Sequence, residues 1–166
     1  MELKADYTFP GPIARVWDLL MDPRVISACL PGCEVFEALG DDRYRVKLVA
    51  GVGAVTGTFE GTVAMAAKEP PVSYRLIVDG RGRAGFVTGD ATMTLVEIVG
   101  PVGRPAGSID PDAGVAVTVH VVGAAQVGGL IAQVGQRLLG ATARMMMDRF
   151  FKCVQRRLAE PSRRSG

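Results

Sequence analysis

The chain has 166 residues, 48% of them apolar and 22% charged, with a formal net charge of +2 and a positive mean hydropathy. That length is enough to bury a proper core in one domain. Near-neutral charge with one tryptophan and three tyrosines excludes a nucleic-acid platform.

The charge is unevenly spread: residues 137–166 carry +6 and residues 1–136 carry −4. The C-terminal end therefore has a basic character of its own. Three cysteines, Cys29, Cys33 and Cys153, are an odd count. Glu2, Lys4 and Asp6 interrupt the N-terminus, so no secretion signal is read, and reduced thiols in a cytoplasmic protein are expected.

Residues 2–9 alternate weakly and predict a first strand that Pro10 and Pro12 stop. Pro12 suits a helix start, and Ile13, Val16, Trp17 and Leu20 fall on one face of the segment that follows. Asp22-Pro23 breaks it and opens a second short helix, ending at Pro31-Gly32. Asp41-Asp42 after Gly40 predict a turn. Arg43, Arg45 and Lys47 then alternate with Tyr44, Val46 and Leu48, as in a strand with one wet face. Thr56, Thr58, Glu60 and Thr62 alternate with Val55, Phe59 and Val63. Two more strands follow Pro70-Pro71, separated by Gly80–Gly85. Residues 100–112 predict a long loop, a mobile hairpin tip, and 113–125 a last strand. Residues 113–136 carry no charge, long enough for a membrane span. Five glycines, three glutamines, His120 and a valine alternation of period two speak instead for a buried strand and a helix start.

From 130 to 160, Leu130, Ile131, Val134, Leu138, Ala141, Met145, Phe150, Val154 and Leu158 recur at helical steps, predicting one long amphipathic helix. Gly135 and Gly140 inside it cost about 1 kcal/mol each against alanine, which points to close packing, a kink or space for a ligand. Met145, Met146 and Met147 are about 100° apart around a helix, so they cannot all face a core. The order is one strand, two short helices, about six strands and a long helix. Strands on short turns are antiparallel, and the helix is the element long enough to cover their apolar face. The expected fold is α+β: a curved antiparallel sheet gripping a C-terminal helix, one domain over residues 1–160 with a disordered tail at 161–166.

Few residues offer chemistry. GRGRAGFV at 80–87 matches a phosphate-loop pattern, but a strand follows where a nucleotide site needs a helix. A glycine-rich β-turn is the better reading. Cys29 and Cys33 have neither redox nor zinc spacing and read as structural thiols at a turn. His120 is the single histidine, so no multi-histidine metal site can form. On a valine-rich strand it reads as a surface or core residue before a catalyst. The methionines beside Arg144, Arg149, Lys152, Arg156 and Arg157 suggest contact with an anionic membrane or an acidic protein; a solvated basic face is the plain alternative.

Phe9-Pro10, Val16–Leu20, Asp22-Pro23 and CLPGCE at 29–34 resemble the CoxG family, associated with carbon monoxide dehydrogenase. So do GTFEGTV at 57–63, GFVTGDATMTL at 85–95 and AQVGGLIAQVGQRLL at 125–139. The resemblance implies the START-like (Bet v 1-like) helix-grip fold with a hydrophobic cavity. It also implies a place beside the molybdenum carbon monoxide dehydrogenase, at the inner face of the cytoplasmic membrane, with a respiratory quinone handled there. Some members carry a further C-terminal membrane segment that is not seen in this sequence, so anchoring is expected to be peripheral, transient or absent.

The expected function is a non-catalytic carrier and adaptor for a menaquinone-type quinone, with no covalent cofactor. Inward alternation and helix phase give Val46, Leu48, Phe59, Val63, Leu76, Met93, Val117, Leu130, Val134, Leu138 and Met145 as candidate cavity liners. Arg149, Lys152, Arg156 and Arg157 are the candidate membrane or partner contacts. Two competitors remain open: a cyclase- or hydrolase-like enzyme in the same cavity, with His120 or Tyr44 as acid-base group, and a ligand-independent assembly factor for the dehydrogenase.

Overall fold

The computed structural model describes residues 1–99 and 115–159. The expected hairpin tip at 100–112 and tail at 161–166 lie outside them. Strand β1 (Glu2–Pro10) precedes helices α1 (Ile13–Met21) and α2 (Pro23–Cys29). Six strands follow: β2 (Cys33–Gly40), β3 (Arg43–Val52), β4 (Val55–Glu69), β5 (Ser73–Gly82), β6 (Gly85–Val99) and β7 (Val115–Gly128). A 3-10 turn at Leu130–Val134 leads into α3 (Gln136–Ala159).

The seven strands make one antiparallel sheet in the order β1-β7-β6-β5-β4-β3-β2. Strands β1 and β2 are neighbours in sequence yet lie at opposite edges, so α1 and α2 must bridge from one edge to the other. Each starts where its sequence predicts. Asp22 accepts a 2.9 Å hydrogen bond from the Arg24 amide and caps α2, with Pro23 at its first position. Pro12 offers α1 no side-chain cap; Glu97 of β6 takes the Ile13 amide instead, at 3.1 Å.

Alternation sorts the sheet's two faces. Met93, Leu95, Val117, Val119 and Val121 point inward and are buried, while Val96, Ile98 and Val122 are exposed on the outside. The core gathers Phe9, Val16, Leu20, Leu95, Val117, Val119 and Val154, each 2% exposed or less. Full burial of each such side chain stabilises by about 1.5–3 kcal/mol. Helix α3 is tied to β1 by Tyr7 Oη donating to Asp148 (2.6 Å) and by Gln155 Nε2 donating to the Thr8 carbonyl (2.7 Å). Burial, helped by that acceptor and the carboxylate charge, pushes the Tyr7 phenol well above its ordinary range.

Two expectations are corrected. The C-terminal helix is not continuous from 130: Gly135 takes φ +96°, which separates the 3-10 turn from α3. A residue with a β-carbon is disfavoured in that conformation, so the glycine is the break itself rather than a weak point within a helix. Nor are the cysteines all free thiols. Cys29 of α2 and Cys153 of α3 form a disulfide across 124 residues of sequence. Cys33 keeps its thiol, and burial raises its pKa.

Candidate functional site

Packing between sheet and helix is incomplete at one end. A cavity of about 370 Å³ lies between the inward faces of β3–β6 and the first half of α3. Pockets that take small molecules measure about 300–1,000 Å³ and are lined mostly by apolar groups. Here β3 supplies Val46 and Leu48, β4 Phe59 and Val63, β5 Tyr74 and Leu76, and β6 Met93. Helix α3 supplies Leu139, Ala143, Met146, Met147 and Phe150.

Small residues open the space. Gly61 and Gly80 face each other across β4 and β5, and both border the cavity. A β-carbon on Gly61 would lie 1.7 Å from the Asp79 carbonyl oxygen, so only glycine permits the backbones to approach this closely. Ala50 and Ala143 leave further room where larger residues would meet.

Six of the eleven expected liners border this cavity: Val46, Leu48, Phe59, Val63, Leu76 and Met93. Five do not. Val117 points inward but belongs to the filled part of the core, fully buried. Leu130 lies in the 3-10 turn and is 54% exposed; Val134 packs on the Val52–Phe59–Ile131 cluster. Leu138 and Met145 are 39% and 40% exposed and do not border the cavity; Leu138 reaches Gly53 in the β3–β4 turn instead. Their misplacement has one cause. Phase counted from residue 130 runs through Gly135, and a 3-10 turn advances about 120° per residue against about 100° for α. The cavity face of α3 is read correctly only when the count begins at Gln136. Tyr74 sits two residues before Leu76, so strand alternation already directs it inward; its polar tip separates it from an apolar set.

Arg149, Lys152, Arg156 and Arg157 are all exposed. The first three share a stripe of α3 with Met145 and Leu138 at steps of three, four and seven. None of the four forms an ion pair with another described residue. The two candidate acid-base groups stand elsewhere. His120 points away from the cavity, on the outer face of β7, with Nδ1 2.6 Å from Asp6 of β1. Tyr44 stacks on Phe36 with ring centroids 4.7 Å apart and does not border the cavity. Among the described residues, no three His, Cys, Asp or Glu side chains come together as metal ligands. No helix among them is long and apolar enough to cross a membrane.

Comparison with solved structures agrees with this architecture. A conserved protein from Geobacillus kaustophilus is 30% identical over 96% of this chain and 95% of its own, with a TM-score of 0.82. The Zhui aromatase/cyclase from Streptomyces sp. R1128 superposes at 0.63 with 13% identity, covering 100% of this chain and 98% of that one. A START superfamily protein from Mycobacterium smegmatis gives 0.59 and 11% over 94% and 95%. The last two identities are low enough to show the fold alone, a START-like helix grip. No curated protein matches the sequence. The pattern of the carbon monoxide dehydrogenase CoxG family matches residues 9–159, nearly the whole length, and the chain belongs to that family.

Proposed function

We propose that this protein is a non-catalytic carrier for a lipophilic quinone of the menaquinone type. It passes the molecule between the cytoplasmic membrane and a molybdenum carbon monoxide dehydrogenase. The observation that carries the reading is the apolar cavity under α3. Burying an isoprenoid chain there is favourable by about 25 cal/mol per Å² of apolar surface, with no catalytic group required. The family name supplies the enzyme partner. The exposed side of α3 makes the membrane contact, with Met145 toward the lipid, Arg149, Lys152 and Arg156 along one stripe and Arg157 beside it on anionic headgroups. An enzyme reading finds less support, because His120 and Tyr44 both lie outside the cavity.

Mass spectrometry of organic extracts from protein purified out of its native host tests the carrier. A quinone bound near one per chain is expected, and a consistently lipid-free protein indifferent to added quinone overturns the reading. Replacing the four basic residues with glutamine tests the membrane role. Each is worth about 1 kcal/mol at an anionic surface, so binding to phosphatidylserine vesicles at low salt should fall by about a hundredfold or more. Binding at wild-type strength removes the membrane role. The Cys29–Cys153 bond pulls against a permanently reducing compartment, where disulfides are rare. Thiol labelling in acid-quenched cells shows whether the pair is oxidised at the inner face of the membrane.

A further inference from the structure

Among the residues that border the cavity, one polar side chain is buried. Tyr74 is 5% exposed, on the inner face of β5 opposite Met93. Its ring stands edge-on to Trp17, with centroids 5.5 Å apart. Around it the lining is Leu20, Ile26, Met65, Leu76 and Met93, none able to accept a hydrogen bond well. Its hydroxyl has no hydrogen-bond partner among the described residues. The other polar liners, Glu60, Thr62, Asp79 and Thr142, are half-buried or exposed. Among the described residues no side-chain oxygen or nitrogen is sealed off without a partner, so the unpaired Tyr74 hydroxyl is not enclosed by the core but opens on the cavity, where a ligand can pair it.

We propose that the Tyr74 hydroxyl is the polar anchor of the cavity, donating a hydrogen bond to a neutral carbonyl oxygen at one end of a lipophilic ligand. This rests on the carrier reading above and adds the ligand's orientation and the chemistry of its head. Burial pushes the phenol well above its ordinary ionisation range, so it stays protonated and acts as a donor. Among the described residues no lysine or arginine borders the cavity; its charged side chains, Glu60 and Asp79, are acidic, and the Met1 ammonium, beside the Phe59–Ile131–Leu139 cluster, donates to the Ala125 carbonyl. A carboxylate or phosphate head beside Tyr74 would therefore be desolvated without a countercharge. Fatty acids and phospholipid heads are disfavoured, and a ketone or quinone carbonyl fits. Trp17, Leu20 and Ile26 place this anchor at the α1–α2 end. The ligand's apolar tail then runs toward Phe59, Ile131 and Leu139 at the other end of the same cavity.

Quenching of the single tryptophan reads binding in wild type and in Tyr74→Phe, with menaquinone-4, squalene and oleate as probes. One neutral hydrogen bond contributes about 0.5–1.5 kcal/mol net. The phenylalanine variant should therefore bind menaquinone-4 about threefold to tenfold more weakly and bind squalene unchanged. Oleate should bind wild type more weakly than menaquinone-4. An equal loss for menaquinone-4 and squalene, no loss for either, or oleate binding as tightly as the quinone overturns the anchor. A wild type that binds neither menaquinone-4 nor squalene overturns the carrier reading itself. A measurement that does not depend on the variant's folding is the carbonyl stretch of menaquinone-4 bound to wild type. A shift to lower frequency against the same quinone in hexane is expected, and an unshifted band overturns the anchor.

Discussion

The two ends of the sheet–helix interface use the same elements in opposite ways. At the α1–α2 side of β1 and β7, Phe9, Val117, Val119 and Val154 leave no exposed surface, and α3 is fixed by more than packing. The disulfide holds it to α2, Asp148 and Gln155 hold it to β1, and its Leu158 carbonyl accepts from Arg15 at 3.0 Å. At the β3–β5 side, the first half of α3 lies over a cavity through Leu139, Ala143 and Met146. Protein interiors otherwise pack like organic crystals. A void of this size within one interface shows that the chain concentrates its stability at one end, which leaves the other end able to stay open.

The largest expected effect breaks the filled end. Phe9→Ala removes a fully buried ring that meets Phe151 edge-on at 6.1 Å. Urea denaturation should show a loss of about 3–5 kcal/mol. Val63→Ala, on the cavity wall, already borders empty space and should lose only about 1 kcal/mol. Equal losses at the two sites would show that the cavity wall is packed as tightly as the core, and the contrast between the ends would fail.

Next in size is the covalent tie. Cys29 and Cys153 close 124 residues of chain at the filled end. In Cys29→Ser/Cys153→Ser that restraint on the unfolded chain is gone, and stability should fall by about 2–4 kcal/mol. Quinone occupancy should change little, since neither cysteine borders the cavity. A double variant that keeps its stability but loses its ligand would place the bond's role in shaping the open end.

Strand alternation made most of this legible in advance. Six expected liners on β3–β6 border the cavity because residue parity survives any turn that leaves the strand intact. The helix wall was not legible by the same logic. Leu138 and Met145 each lie one position from true liners, Leu139 and Met146, because helix phase is lost across Gly135 while apolar spacing continues through it. Val117 shows a different limit: parity gives the face of a sheet but not which end of that face is filled. The disulfide was beyond reach, since Cys29 and Cys153 are brought together only when α2 crosses from one sheet edge to the other. In sequence, Cys29 has Cys33 as its near neighbour, four residues away, and nothing in the spacing points to Cys153.

The smallest effect concerns Gly140, for which helical periodicity left packing, a kink or ligand space open. A β-carbon built there meets nothing within 4 Å, so close packing is not the reason for the glycine. Gly140 lies within the continuous α3 and does not border the cavity, although Leu139 and Thr142 do. Without a steric or ligand role, the substitution has only the backbone term to act on. Gly140→Ala reduces the freedom of the unfolded chain and favours the helix, stabilising by about 0.4–1 kcal/mol. For a chain of this length that raises Tm by about 2–4 °C per kcal/mol. Quinone occupancy measured on the same preparation should stay at the wild-type level. A higher Tm with lower occupancy would mean that the open end depends on a helix loose enough to move, which would extend the contrast between the two halves of α3 from packing to motion.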